Sequence, residues 1–351
     1  MPDRKKGALR THIQTAVDTI TEAYRQRGYF PSAAVAVFTP EQTLYRASYG
    51  GVTMDTLFDV ASLTKIATAT QVLLLIKQGK FALEDPIVRL LPQAAARPVI
   101  SERLKDVTVK KLLTHTSGIV DWYPFYAAAG GFYNVLEKVL PLYEVRQGVE
   151  YSDINFMLLG LLVEEAMGLP LTECLRENLS APLSLSRFCY CPDPSLSIAP
   201  SCYGNPIEEE MCRERGIAFS GWRTHEAVCG QVNDGNAYYF FNGVAGHAGL
   251  FADVEAYESL CRLYMNTGSP LLQEAMEEQA PGRGLGFGLG NMYPKGCGHT
   301  GFTGTAVYLS RALGIGVVAF TNRLFFPHKN PNSTQEYRRA LFGAVAEIAA
   351  S

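Results

Sequence analysis

Phe58-Asp59-Val60-Ala61-Ser62-Leu63-Thr64-Lys65-Ile66-Ala67 marks the point where a strand-like run gives way to a helical one. On a helix, Ser62 and Lys65 lie one turn apart on the same face. A serine hydroxyl is a weak nucleophile until a neighbouring base takes its proton, and a lysine held neutral can do so. The position favours that state. Lys65 would fall in the first helical turn, where the positive end of the helix dipole opposes an ammonium. Val60, Leu63 and Ile66 could desolvate it further. A serine-capped, solvated helix start fits the same residues, so the weight of the motif depends on what else converges on it.

The bulk properties narrow the field. The 351 residues are 47% hydrophobic and 19% charged, an ordinary globular composition with length for a sizeable core. A net charge of -3 gives no electrostatic reason to expect nucleic acid or an anionic membrane as partner. The longest aliphatic run, Val72-Leu73-Leu74-Leu75-Ile76, is too short to span a bilayer. The N-terminus is charged and leads into an amphipathic helix, not an apolar signal core, so the expected compartment is the cytoplasm. Six of the eight cysteines lie from Cys174 to Cys229. They follow no zinc-binding spacing and are expected to be free thiols. The six histidines include no pair at helical ligand spacing. The expectation is therefore no metal and no cofactor.

Periodicity predicts an amphipathic helix over 8–27 and strands over 33–38 and 43–49. A helix opens at Ser62 and runs to about Gln78, a short helical piece covers 109–113, and a second clear helix covers 155–167. The stretch 189–236 has mixed polarity and reads as a long loop. Asp253 caps a helix to about Met265. Strands over 305–310 and 315–321 precede a final amphipathic helix over 333–350. Strands at both ends with helices between them imply an α+β fold. Its antiparallel sheet is built from both chain ends and flanked by the terminal helices. One catalytic unit with two lobes is expected, residues 1–60 plus about 245–351 forming the α/β lobe and about 61–244 a mostly helical lobe. The cleft between lobes is the natural place for a site.

Two more segments carry chemistry. Tyr151-Ser152-Asp153-Ile154-Asn155-Phe156 opens the second clear helix. A tyrosine beside a cation ionises more easily and can carry protons to and from a serine oxygen. Gly298-His299-Thr300-Gly301-Phe302-Thr303-Gly304-Thr305 reads as a glycine-rich strand entrance whose exposed backbone lets a substrate lie alongside. A backbone N–H there, with that of Ser62, could hold the oxygen of a tetrahedral intermediate. Each segment alone also fits a purely structural role.

Ser62-x-x-Lys65, Tyr151-x-Asp153 and His299-Thr300-Gly301, in that order, resemble the three motifs of the serine β-lactamases and penicillin-binding proteins. More narrowly, the chain is similar to the class C β-lactamase-like group, which includes esterases, D-amino-acid peptidases and amidases. Leu112-Leu113-Thr114-His115-Thr116-Ser117-Gly118 and Gly243-Val244-Ala245-Gly246-His247-Ala248-Gly249-Leu250 strengthen the resemblance. It implies a β-lactamase/transpeptidase-like fold with Ser62 as acylated nucleophile and Lys65 and Tyr151 sharing acid–base work. Ser62 and Phe302 would supply the oxyanion N–H groups. Asp153, His299, Thr300, Gly301 and His247 would line the substrate, while His115 would organise a loop. Two departures argue against an efficient β-lactamase: His299 stands where those enzymes carry lysine, and Asp153 where they carry asparagine. A second branch, the cytosolic N-acetylmuramyl-L-alanine amidases, matches around Gly230-Gln231-Val232-Asn233-Asp234-Gly235-Asn236-Ala237, but there the usual His-Asp-Glu-Asn is replaced by Asn233-Asp234-Gly235-Asn236. The implied partner is a small ester or amide, with a peptidoglycan fragment as the alternative. A penicillin-binding sensor that acylates without turnover is the competing class.

Overall fold

The computed structural model describes residues 2–266, 268–328, 330 and 332–351. Helix α1 (Pro2–Gln26) starts earlier than expected and ends just before Gly28, which takes the left-handed conformation a helix stop requires. Strands β1 (Ala33–Phe38) and β2 (Thr43–Tyr49) follow. Helix α2 (Thr64–Lys77) is reached through a single tight turn over Ala61–Leu63. Helix α3 (Asp153–Met167) closes on Gly168 in the left-handed region, and α4 (Val254–Met265) is capped by Asp253, which accepts from the Ala256 N–H at 2.7 Å. The C-terminal part supplies β3 (Gly288–Leu289), β4 (Cys297–Thr300), β5 (Ala306–Ser310), β6 (Ile315–Thr321) and α5 (Thr334–Ala350).

These strands form one antiparallel sheet in the order β2-β1-β6-β5-β4-β3. β1 and β6 pair from Ala33↔Thr321 to Phe38↔Gly316, which joins the two chain ends at the sheet centre. Both strands are buried on both faces. Period-2 alternation divides them. Val35, Val37, Val317 and Ala319 pack with Ile13, Val17, Leu341 and Val345 of α1 and α5. Ala34, Ala36, Val318 and Phe320 pack with Leu63, Ile66 and Val72 of the helical layer. Chain ends therefore cover one sheet face, and everything between them covers the other.

Two expectations need correction. The stretch 189–236 is not one long loop. It contains the helix Pro206–Glu214 and the short strand pair Cys202–Tyr203 with Ala227–Val228. Phe188–Tyr190 also pairs with Leu250–Ala252, which in turn pairs with Phe58–Asp59. Strands of two or three residues leave no periodic trace, and only their distant partners define them. The glycine segment 298–305 is likewise not the entrance to one strand. It is the end of β4 followed by a turn into β5.

The sites of closest backbone approach are glycines. α3 passes the loop before the short strand Leu250–Ala252 at Gly160, where a methyl group would sit 2.9 Å from the Gly246 main chain. A methyl on Gly246 would meet the Phe156 carbonyl oxygen at 2.2 Å. Backbone on both sides cannot yield as a flexible side chain would. Gly246→Ala should therefore cost about 1–3 kcal/mol by overpacking, read as a lower denaturation midpoint. An unchanged midpoint would show that this approach is looser than described.

Candidate active site

Ser62 sits in the tight turn before α2, and its neighbours hold that turn from several directions. Ala61 adopts φ 48°, unusual for a residue with a side chain. Its N–H donates to Asp59 Oδ1 at 2.9 Å, and Asp59 Oδ2 accepts from the Asn233 N–H at 2.6 Å. Burial raises the Asp59 pKa to about 6 against the pull of those two N–H groups. The Tyr257 hydroxyl donates to the Leu63 carbonyl at 2.6 Å. From the sheet, Thr303 and Thr305 hydroxyls donate to the Asp59 and Val60 carbonyls at 2.7 and 2.9 Å. The turn after β4 is thus tied to the residues just before Ser62. A side chain at Gly301 would run into the Val60 carbonyl at 2.6 Å, so glycine is required at that junction.

Lys65 lies one turn further on and is fully buried. Its Nζ has three acceptors: Asp153 Oδ1 at 2.7 Å, Ser62 Oγ at 2.9 Å and the His247 carbonyl at 3.0 Å. That number matches the protons an ammonium carries. Tyr151 belongs to the same cluster, with Lys65 Nζ 5.1 Å from its ring centre. The turn Ala61–Leu63 brings Ser62, α2 brings Lys65, α3 opens on Asp153 two residues after Tyr151, and the 243–249 loop brings His247.

The electrostatics differ from the expectation of a neutral lysine. Burial alone would lower the Lys65 pKa, but Asp153 and then Tyr151 outweigh it and raise it above the ordinary lysine value. A carboxylate at contact distance dominates a helix dipole. Nor does Tyr151 ionise easily: burial raises its pKa more than Lys65 lowers it. The resting site therefore holds an ammonium–carboxylate pair, a phenol and a serine hydroxyl.

The other expected residues fall as follows. His299 lies on β4, buried, with Nδ1 2.9 Å from the Thr300 carbonyl and its ring centre 6.0 Å from that of Tyr151. Burial, then the Lys65 and Arg283 charges, lower its pKa to about 3, so it is neutral. Thr300 shares with Tyr151 and His299 a cleft of about 260 Å³. Phe302 is exposed and lines a different, larger cleft of about 520 Å³ with Asn233, His225 and Arg323. Asp153, expected to contact substrate, is the counter-ion of Lys65. His247 has its ring buried, with Nε2 2.9 Å from Asp234 Oδ1, and offers the site its main-chain carbonyl. His115, at φ 56°, accepts from the Ser152 N–H at 3.1 Å and packs its ring 4.4 Å from that of Tyr151, tilted by 31°, which fixes the start of α3.

The Beta-lactamase family model matches residues 17–341. The chain belongs to the β-lactamase family. Among its relatives, an Escherichia coli (strain K12) protein that carries a D-alanyl-D-alanine carboxypeptidase name is 29% identical, over 86% of this chain and 82% of the relative. The N-acetylmuramyl-L-alanine amidase of Bacillus subtilis (strain 168) is 28% identical, over 86% of this chain and 80% of the relative. The fold is shared with EstCE1, a hydrolase with promiscuous acyltransferase activity, at TM-score 0.70 and 16% identity over 96% of this chain and 99% of that one. It is shared equally with a class C beta lactamase, at TM-score 0.70 and 18% identity over 96% and 98%. This β-lactamase-family chain is accordingly a serine hydrolase acting on amide or ester bonds.

Sequence reasoning missed Asp234, the partner of His247, and Arg283, whose guanidinium carbon lies 5.5 Å from the Tyr151 ring centre. Arg283 belongs to Gly282-Arg283-Gly284-Leu285-Gly286, which matches none of the motifs above. Among the described residues, no helix by itself is long and apolar enough to cross a membrane.

The buried ion pair is open to test in this family member. Asp153→Asn keeps the shape but removes the charge, which should cost about 1–3 kcal/mol at pH 7. Because the folded lysine pKa is raised, the lost stabilisation is fully present below the ordinary lysine value. It fades only as pH rises from there through the raised value. Denaturant unfolding at pH 7 measures it, and wild-type stability in the variant would refute the pairing.

Proposed function

We propose that this hydrolase works through an acyl-enzyme on Ser62. The carrying observation is the 2.9 Å contact between Lys65 Nζ and Ser62 Oγ, with the Tyr151 ring centre 5.1 Å from the same Nζ. Ser62 Oγ would attack the substrate carbonyl as its proton passes into the Lys65–Tyr151 pair. The carbonyl oxygen, negative in the intermediate, would lie between the Ser62 and Phe302 N–H groups. The bond to the leaving oxygen or nitrogen then breaks as Tyr151 returns a proton to it, and water releases the acyl group by the reverse path. A fluorophosphonate probe should label the Ser62 peptide by mass spectrometry and leave Ser62→Ala unlabelled. Equal labelling of both proteins would discard the nucleophile.

The resting ion pair sets the pH dependence. A base must be free to take the serine proton, yet Lys65 is held charged above the ordinary lysine range. Hydrolysis should therefore keep rising with pH beyond neutrality. Asp153→Asn lowers the lysine pKa and should move that rise towards lower pH. Superimposable profiles would separate Lys65 from the base role.

We favour small esters over lactams, because a p-nitrophenolate leaves without needing a proton whereas a lactam nitrogen must be protonated by the same buried cluster. The expected order is p-nitrophenyl acetate faster than nitrocefin, and the reverse order in steady-state assays would overturn it. A muramyl-peptide substrate is the second reading, supported by the similarity to the Bacillus subtilis amidase. Release of L-alanine from N-acetylmuramyl-L-alanine, absent in Ser62→Ala, tests it.

A further inference from the structure

The loop 233–237 is anchored at successive residues, and two of its anchors belong to the active site. The Asn233 N–H donates to Asp59, whose other oxygen holds the Ala61 N–H of the Ser62 turn. Asp234 Oδ1 lies 2.9 Å from Nε2 of His247, the residue whose carbonyl accepts from Lys65 Nζ. Further along, the Asn236 side chain accepts from the Phe125 N–H at 2.8 Å and donates to the Tyr123 carbonyl at 2.9 Å. The remaining anchor is a carboxyl group that the loop does not itself carry. Gly235 donates its N–H to Glu208 Oε1 at 2.6 Å, and a methyl on Gly235 would lie 2.2 Å from Glu208 Oε2. Glycine at 235 therefore leaves the space that a carboxyl from the helix Pro206–Glu214 fills.

Glu208 is buried in surroundings that keep a proton on it. The Tyr126 hydroxyl lies 2.9 Å from its Oε2 and 3.5 Å from Cys212 Sγ. Asp234 faces it from the loop as a second carboxyl group. Arg223 is the nearby cation, but its guanidinium is engaged by Asn205 Oδ1 at 2.6 Å and the Val232 carbonyl at 2.8 Å. Burial, then the charge of Asp234, raise the Glu208 pKa to about 8, against the Gly235 N–H, Tyr126 and Arg223. Burial also opposes the charge on Asp234, but His247 and Lys65 outweigh it and lower that pKa. The two carboxyl groups thus share one negative charge at neutral pH. Glu208 lines the cleft of about 520 Å³ with His225 and Arg323, which gives its proton a route to water.

We propose that Glu208 is a positioning residue that holds the 233–237 loop, and through it the Ser62 turn and the His247 carbonyl. This rests on Ser62 being the nucleophile. Glu208 does so as a neutral acid. Once ionised it is a second buried anion beside Asp234, and the two repel each other across the loop end that Glu208 held. Asp234 passes that disturbance to His247, and so to the third acceptor of Lys65.

The test follows the rate at which a fluorophosphonate labels Ser62 as pH rises. In wild type the rise driven by Lys65 should level off above about pH 8. In Glu208→Gln, which has the shape of the neutral acid and cannot ionise, it should continue. The ratio of the Glu208→Gln rate to the wild-type rate should therefore grow about tenfold between pH 7 and pH 9. Glu208→Ala leaves the Gly235 N–H without its acceptor and should be slower than Glu208→Gln at every pH. Parallel profiles for wild type and Glu208→Gln, or equal rates for the two variants, overturn the assignment. The wild-type profile is a test that needs no variant, since a rise that does not level off near pH 8 also overturns it. No labelling of Ser62 at any pH overturns instead the nucleophile on which the assignment rests.

Discussion

A lysine ammonium buried without access to water must find acceptors for three protons, and the arrangement around Lys65 follows from that need. Asp153, Ser62 and the His247 carbonyl supply them from three separate parts of the chain. Leaving any one out would strand a buried donor of that ammonium, at a cost of about 1–3 kcal/mol. The requirement therefore fixes the start of α3 and the 243–249 loop against α2. It also explains why glycine stands at 160 and 246, where the backbones must approach closely for the His247 carbonyl to reach Nζ.

The same arrangement sets the chemistry. A site poised to transfer a proton has to hold it somewhere at rest, and here Asp153 holds it on Lys65. Asparagine at that position would accept a hydrogen bond without the charge. The carboxylate makes the resting state firmer and the nucleophile harder to free. Charge is redistributed on the other wall as well. A neutral His299 keeps a third cation away from Lys65 and Arg283.

Much of the fold was legible because its long elements carry clear periodicity. β1, β2 and β6 lie where alternation and β-branched runs put them, and Gly28, Gly79 and Gly168 end helices in the left-handed conformation. The region 189–236 was not legible. Its strands are two or three residues long, and its helix Pro206–Glu214 turns only a narrow buried face inward, at Glu208 and Cys212. Such segments are shaped by partners far away in sequence.

The sequence by itself determined the residue types of the site and their order, since Ser62 and Lys65 are one helical turn apart whatever surrounds them. It also determined that the two chain ends would share a sheet, because apolar strands at both ends have no other partner. Tertiary structure alone decided the protonation states. Lys65 is charged because α3 delivers a carboxylate to within 2.7 Å, and His299 is neutral because burial and two cations surround it. It alone decided that Arg283, in a segment without a motif, faces Tyr151. Charge acts through distance in space, and distance in space is what a linear pattern does not contain.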